Sequence, residues 1–133
     1  MKNSLKFSIS ELIKSDIAAR NNLNNIPDIN TLDNILNLIF YCLQPLRDKI
    51  SKPIIITSGY RCKQLNDLIK GSQTSQHLNG QAADFYISGM TPNQIIEFIL
   101  KSDIEYDQLI NEYDRWVHIS YVKNKNRKQY IHL

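Results

Sequence analysis

His77 and Asp84 stand seven positions apart in the stretch SQHLNGQAAD, around Asn79-Gly80, in a chain with only three histidines. Seven residues is too long an offset for one helical face and suits a loop running into a strand, which brings two ligands together from different elements. His118, in WVHIS, is a second imidazole at a strand position. Two imidazoles and one carboxylate, with a fourth position open, form a well-attested catalytic zinc set, so His77, Asp84 and His118 are the candidate ligands of one Zn2+. HExxH is absent, and such a site must be assembled across strands.

Hydrolysis at such an ion needs a carboxylate to take and pass on a proton. Glu112 is the first candidate, six residues before His118 on the preceding strand, across a tight turn through Asp114 and Arg115. Asp114 is the alternative. Arg61 and Ser75 are candidate partners for a substrate carbonyl or carboxylate. Tyr86 and Trp116, which share strand faces with Asp84 and His118, complete the candidate substrate contacts. Each has a plainer role open to it: Asp84 bonding backbone amides, Arg61 pairing with Asp67, Ser75 serving a turn, Tyr86 and Trp116 packing.

The elements that must position these groups are legible in outline. Ser8 and Glu11 form a capping box opening a helix over about 9–20, which the asparagines at 21–25 and Pro27 end. A longer amphipathic helix carries the stripe Ile35, Leu38, Ile39, Cys42, Leu43 and Leu46, kinked near Pro45. Ile54-Ile55-Ile56-Thr57 reads as a buried strand, followed by a turn at Ser58-Gly59-Tyr60-Arg61 and a short helix ending at Gly71. In QAADFYIS, Ala83, Phe85 and Ile87 share one face and Ala82, Asp84 and Tyr86 the other, so Asp84 points away from the apolar layer. Thr91, Pro92 and Gln94 cap a helix to about Lys101, and 106–112 with 116–122 read as a hairpin. The order of helices first and strands later predicts an α+β domain, helices on one face of a small antiparallel sheet and the zinc site on the other.

The 133 residues fit one domain able to bury roughly two thirds of its unfolded surface. Within it, 1–50 is a mostly helical part, 53–122 a catalytic core and 123–133 a basic C-terminal segment, with His132 expected to fray in solvent. A net charge of +3, with 42% apolar and 22% charged residues, excludes a disordered or low-complexity chain. The run Lys123 to Lys128 is read as a solvated edge, so no nucleic-acid partner is expected. Cys42 and Cys62 lack CxxC spacing and are expected to be free, buried thiols. No segment has the apolar length of a signal peptide or a membrane span, which predicts synthesis in the cytoplasm without a leader and no membrane insertion.

Taken together, SGYRCKQLN at 58–66, SQHLNGQAADF at 75–85 and WVHIS at 116–120 resemble the zinc D-Ala-D-Ala carboxypeptidase family of clan MD, which includes phage endolysins and bacterial murein endopeptidases. The pattern S-x-H-x-x-G-x-A-x-D is matched at every fixed position. The resemblance implies a hedgehog/DD-peptidase fold, zinc held by His77, Asp84 and His118, and Arg61 and Ser75 holding the peptide to be cut. Many carboxypeptidase members carry the catalytic acid three residues before the last histidine, where this chain has Arg115; the related hedgehog domain has a glutamate six residues before it, the spacing of Glu112. The expected activity is hydrolysis of peptidoglycan stem peptides or cross-links, as a D,D-carboxypeptidase or endopeptidase, by a monomer of phage-lysin type that reaches the wall through lysis or a virion. The alternative is a hedgehog-like zinc module that binds the wall without cutting it.

Overall fold

The computed structural model describes residues 6–133. Ser8 accepts from the Glu11 N–H while Glu11 reaches back to the Ser8 N–H, starting α1 (Ile9–Ile13). The single helix expected over 9–20 is instead two: Ser15 caps a separate α2 (Asp16–Arg20). A serine that accepts from the N–H three residues on offers the backbone a fresh start, and it competes here with continuing the first helix. Asp28 then caps α3 (Ile29–Leu38), which widens into a π-helical turn over Ile39–Leu43 before α4 (Gln44–Ile50). Pro45 explains the widening. It cannot donate to the preceding turn and its ring crowds the carbonyl there, and the turn made by the Gln44 N–H to Ile39 O gives the ring room without breaking the helix. The stripe from Ile35 to Leu46 stays buried throughout.

Beyond α4 come β1 (Ile55–Ser58), α5 (Lys63–Leu68), a 3-10 turn (Gln76–Asn79), β2 (Ala82–Tyr86), α6 (Pro92–Leu100), β3 (Gln108–Glu112), β4 (Trp116–Ser120) and β5 (Gln129–His132). Helix α5 ends three residues before Gly71, and the left-handed residue that turns the chain is Lys70. Among the described residues the strands form one sheet in the order β1-β2-β4-β3-β5. The first three pairings are antiparallel, as expected, but β5 runs parallel to β3, so the sheet is mixed. His132 therefore does not fray: it ends β5, opposite Asn111, with Nε2 3.3 Å from Asp114 Oδ1. The basic run is partly a connection that carries the chain past the sheet and into this strand.

Alternation along the strands sorts the two faces. Ala83, Phe85, Val117, Ile119 and Leu109 point to one side and pack with α3, the π-helical turn and α6; Phe85, Leu109 and Ile119 have essentially no exposed surface. Each such side chain is worth about 1.5–3 kcal/mol of burial, so this layer fixes the register of the sheet. Asp84, His118, Ile110 and Glu112 necessarily occupy the other face. Cys42 and Cys62 are free and buried, and burial pushes the Cys42 thiol far above its ordinary range.

Gly59 marks where the helices close onto the edge of the sheet. A Cβ there would stand 2.2 Å from the Leu12 carbonyl oxygen, beside the bond from the Tyr60 N–H to that same oxygen at 2.7 Å. Gly59→Ala must push α1 away from the sheet edge. It is expected to lower stability by about 1–3 kcal/mol, read as a fall in the urea midpoint with an unchanged slope.

Candidate metal centre

The register places the site. Asp84 on β2 is the cross-strand partner of His118 on β4, and both lie on the face away from the core. His77 comes from the 3-10 turn, which Ser75 caps by accepting from the His77 N–H at 3.2 Å. Gly80 ends that turn at φ +71°, packed so closely on Thr31 and Ile35 of α3 that a side chain would clash. The backbone thereby delivers His77 beside β2 within seven residues of Asp84.

Asp84 Oδ1 lies 2.9 Å from His118 Nδ1 and 3.3 Å from His77 Nε2, and the two rings meet edge to face with centroids 5.1 Å apart. All three donor atoms lie within 4.8 Å of one another, and all three residues are buried. Zinc bonds of about 2.0–2.1 Å in tetrahedral geometry set ligand atoms roughly 3.3 Å apart, so the donor set fits a zinc ion by both type and spacing. The outer partner of His77 also fits. Its Nδ1 lies 2.6 Å from the Gly59 carbonyl oxygen, which accepts a hydrogen bond there and aims Nε2 at Asp84, the nitrogen that would give up its proton to bind a metal. Burial pushes the Asp84 carboxyl upward, but hydrogen bonds from His118 and His77, with their charge, outweigh it and hold the group well below the usual carboxylate range.

The three residues line a cleft of about 530 Å³ that also holds Arg61, Ser75, Glu112 and Trp116. Arg61 is held on several sides: Nη2 lies 3.7 Å from Asp84 Oδ2, Nη1 donates to Asn66 Oδ1, Nε donates to Ser58 Oγ, and its backbone N–H donates to His77 O. Glu112, opposite Trp116 in the β3-β4 hairpin, is half-buried. Burial raises its carboxyl pKa, the Asp84 charge adds to that, and His118, His77 and Arg61 oppose it. A base poised in this way holds a proton more readily than a free glutamate. A larger groove, about 740 Å³, runs along β1 between α2 and α5 and shares Arg61, but no histidine lines it.

Two of the candidate residues are not brought to the cleft. Tyr86 shares the face of Asp84 but sits at the far end of β2, 45% exposed and outside the cleft lining. Asp114 belongs to the hairpin turn, where Tyr113 and Asp114 both take left-handed φ values. Its Oδ1 accepts from Asn111 Nδ2 and pairs with His132, so it is tied to the turn and not to the reacting centre. Ser75 lines the cleft while also capping the turn that carries His77.

The sequence reading missed Asp107, Gln76 and Arg127. Asp107 is buried, and its two carboxylate oxygens accept from the Arg127 backbone N–H, from Arg127 Nε and Nη2, and from Gln76 Nε2 at 2.7 Å. One carboxylate thus joins β3, the His77 turn and the approach to β5. A charged residue beside the strand start Gln108-Leu109-Ile110 was a faint signal, but its partners lie 31 and 20 residues away.

Residues 5–120 match the family model described as Peptidase M15. A search among curated proteins finds no match.

The Arg127 hydrogen bonds hold the Asp107 carboxyl at about 2 against the opposing effect of its burial, with the Gln76 bond adding to the lowering. A carboxyl depressed in the fold contributes stability above its unfolded value, about 3.9, and loses it as pH falls through the folded value. Asp107→Asn should therefore be less stable than wild type at pH 7, and the gap should close between about pH 4 and pH 2. Melting temperatures measured across that range check it.

Proposed function

Because the chain belongs to the peptidase M15 family of zinc-dependent metallopeptidases, we propose that it hydrolyses peptide bonds in bacterial peptidoglycan through a zinc ion held by His77, Asp84 and His118. The observation that carries this reading is the convergence of two imidazole nitrogens and one carboxylate oxygen on the floor of a cleft that also holds the half-buried Glu112. A bound zinc supplies Lewis acidity, polarising the scissile carbonyl and making water acidic enough to ionise near neutrality.

The chain's own residues do the rest. His77 is kept in one tautomer by Gly59 O, so its ring cannot turn away from Asp84. Glu112 takes the proton of the attacking water and delivers it to the departing amine nitrogen, and its raised affinity for a proton serves the second half of that transfer. Arg61, fixed by Asn66 and Ser58, offers positive charge beside the reacting carbonyl. Trp116 forms part of the wall against which the peptide lies.

In this reading the fold is that of the hedgehog/DD-peptidases, the substrates are stem peptides or their cross-links, and the protein is a monomeric lysin of phage type that meets the wall on lysis or in a virion. Arg115 occupies the position three before His118 and cannot be the base; Glu112, two register positions from His118 on the same face of the sheet, takes that role.

Elemental analysis of purified wild type and Glu112→Gln should give about one zinc per chain in both. Digests of purified peptidoglycan read by mass spectrometry should yield new peptide ends from wild type, with Glu112→Gln slower by about 10²–10⁴-fold. Wild type that holds zinc yet leaves every bond intact would sink the peptidase and favour a wall-binding module.

A further inference from the structure

The cleft has a second cationic wall. Arg127 precedes β5, at the opposite edge of the sheet from Arg61, and lines the same cleft. Its guanidinium is anchored, since Nε and Nη2 donate to the buried Asp107 carboxylate, while Nη1 has no partner among the described residues and the side chain is 56% exposed. A guanidinium clamped on one edge and open on the other is pre-organised to receive a second carboxylate, because its rotamer is already fixed. The pair with Asp107 satisfies the buried acid without a ligand, and the outer edge of the guanidinium keeps Nη1 N–H donors for an entering carboxylate.

Two further groups along the cleft are unsatisfied. Trp116 Nε1, a donor, and Gln76 Oε1, an acceptor, are buried with no hydrogen-bond partner among the described residues, and both residues line the cleft. Buried polar atoms are rarely left so, and a peptide backbone, which brings both an acceptor and a donor, would satisfy them. Two strand spacings of about 4.8 Å set the approach to β5 on the order of 10 Å from β4, which carries His118; that is the span of about three residues of extended peptide.

We propose that Arg127 is a specificity-determining residue that binds a substrate carboxylate lying about three residues from the bond to be cut, with Asp107 as the positioning residue that holds it. The inference rests on the peptidase reading of the same cleft. It makes the enzyme selective for a long, acidic peptide over a dipeptide, because a dipeptide at the metal does not reach Arg127.

The test uses the zinc-loaded Glu112→Gln protein and a pair of pentapeptides, L-Ala-γ-D-Glu-L-Lys-D-Ala-D-Ala with the glutamate α-carboxylate free or converted to a primary amide. Trp116 is the only tryptophan, so its fluorescence reports occupancy of the cleft. The free acid should bind roughly ten- to hundredfold more tightly than its amide twin, the ratio one charge-assisted pair gives. Adding Arg127→Ala with Asp107→Asn, which removes both charges and leaves no unpaired buried acid, should bring the ratio of the two affinities close to one, a ratio taken within one protein so that any loss common to both peptides cancels. Equal binding of the two peptides, or a preference that survives the double change, overturns the proposal. Cleavage by wild type without acid preference leaves the peptidase standing and removes Arg127; acid preference without cleavage does the reverse.

Discussion

The Asp84 carboxylate sits between two imidazoles and faces a guanidinium, in a place nearly closed to bulk water. Burying an ionised carboxylate costs several kcal/mol unless partners replace its hydration, and here His77, His118 and Arg61 do so. Each partner comes from a different element, so the pairing can exist only when the 3-10 turn, β2, β4 and the β1–α5 connection are all in place. The apolar layer on the other face of the sheet supplies that order. A one-residue slip of β2 would turn Asp84 into the core and Phe85 into the cleft, two errors of opposite kind, and this double penalty keeps the register.

Electrostatics in the cleft follows from the same arrangement. Asp84 is stabilised as an anion, and Glu112, nearby and less well partnered, is pushed toward its protonated form. On the proposed reading, this difference in proton affinity is what separates the metal ligand from the proton carrier. Behind the cleft lining a third carboxylate, Asp107, is consumed by Arg127 and Gln76 and acts as a structural tie. It couples the turn bearing His77 to β5, and so the metal ligands to the far wall of the cleft.

Much of this was legible in the sequence because the informative signals were local. The capping boxes at Ser8 and Thr91, the stripe from Ile35 to Leu46 and the alternation around Asp84 each rest on residues a few positions apart, and all stand in the structure. His77, Asp84 and His118 were found by residue type and pattern, and the fold brings them together. What failed was long-range or competitive. Ser15 split a helix because its side chain outcompeted backbone continuity. Strand β5 was hidden because Lys123 to Lys128 reads as a solvated run, while the pairing that orders the following residues depends on Asp107, on the other side of the hairpin. Asp114 looked like a base by spacing, but its left-handed backbone and its bond to Asn111 hold it to the turn.

The tight turn at Tyr113-Asp114 also ties cleft residues to one another. Glu112 and Trp116 face each other across it, with His118 two register positions further along, so three residues of the cleft share a single hairpin. The cleft is flanked instead by the irregular segments 70–75 and 123–128. There Lys70, Asn124 and Lys128 already adopt left-handed backbone conformations. On the proposed reading, regular strand pairing holds the centre of the site, and any change in the shape of the cleft comes from its irregular rim.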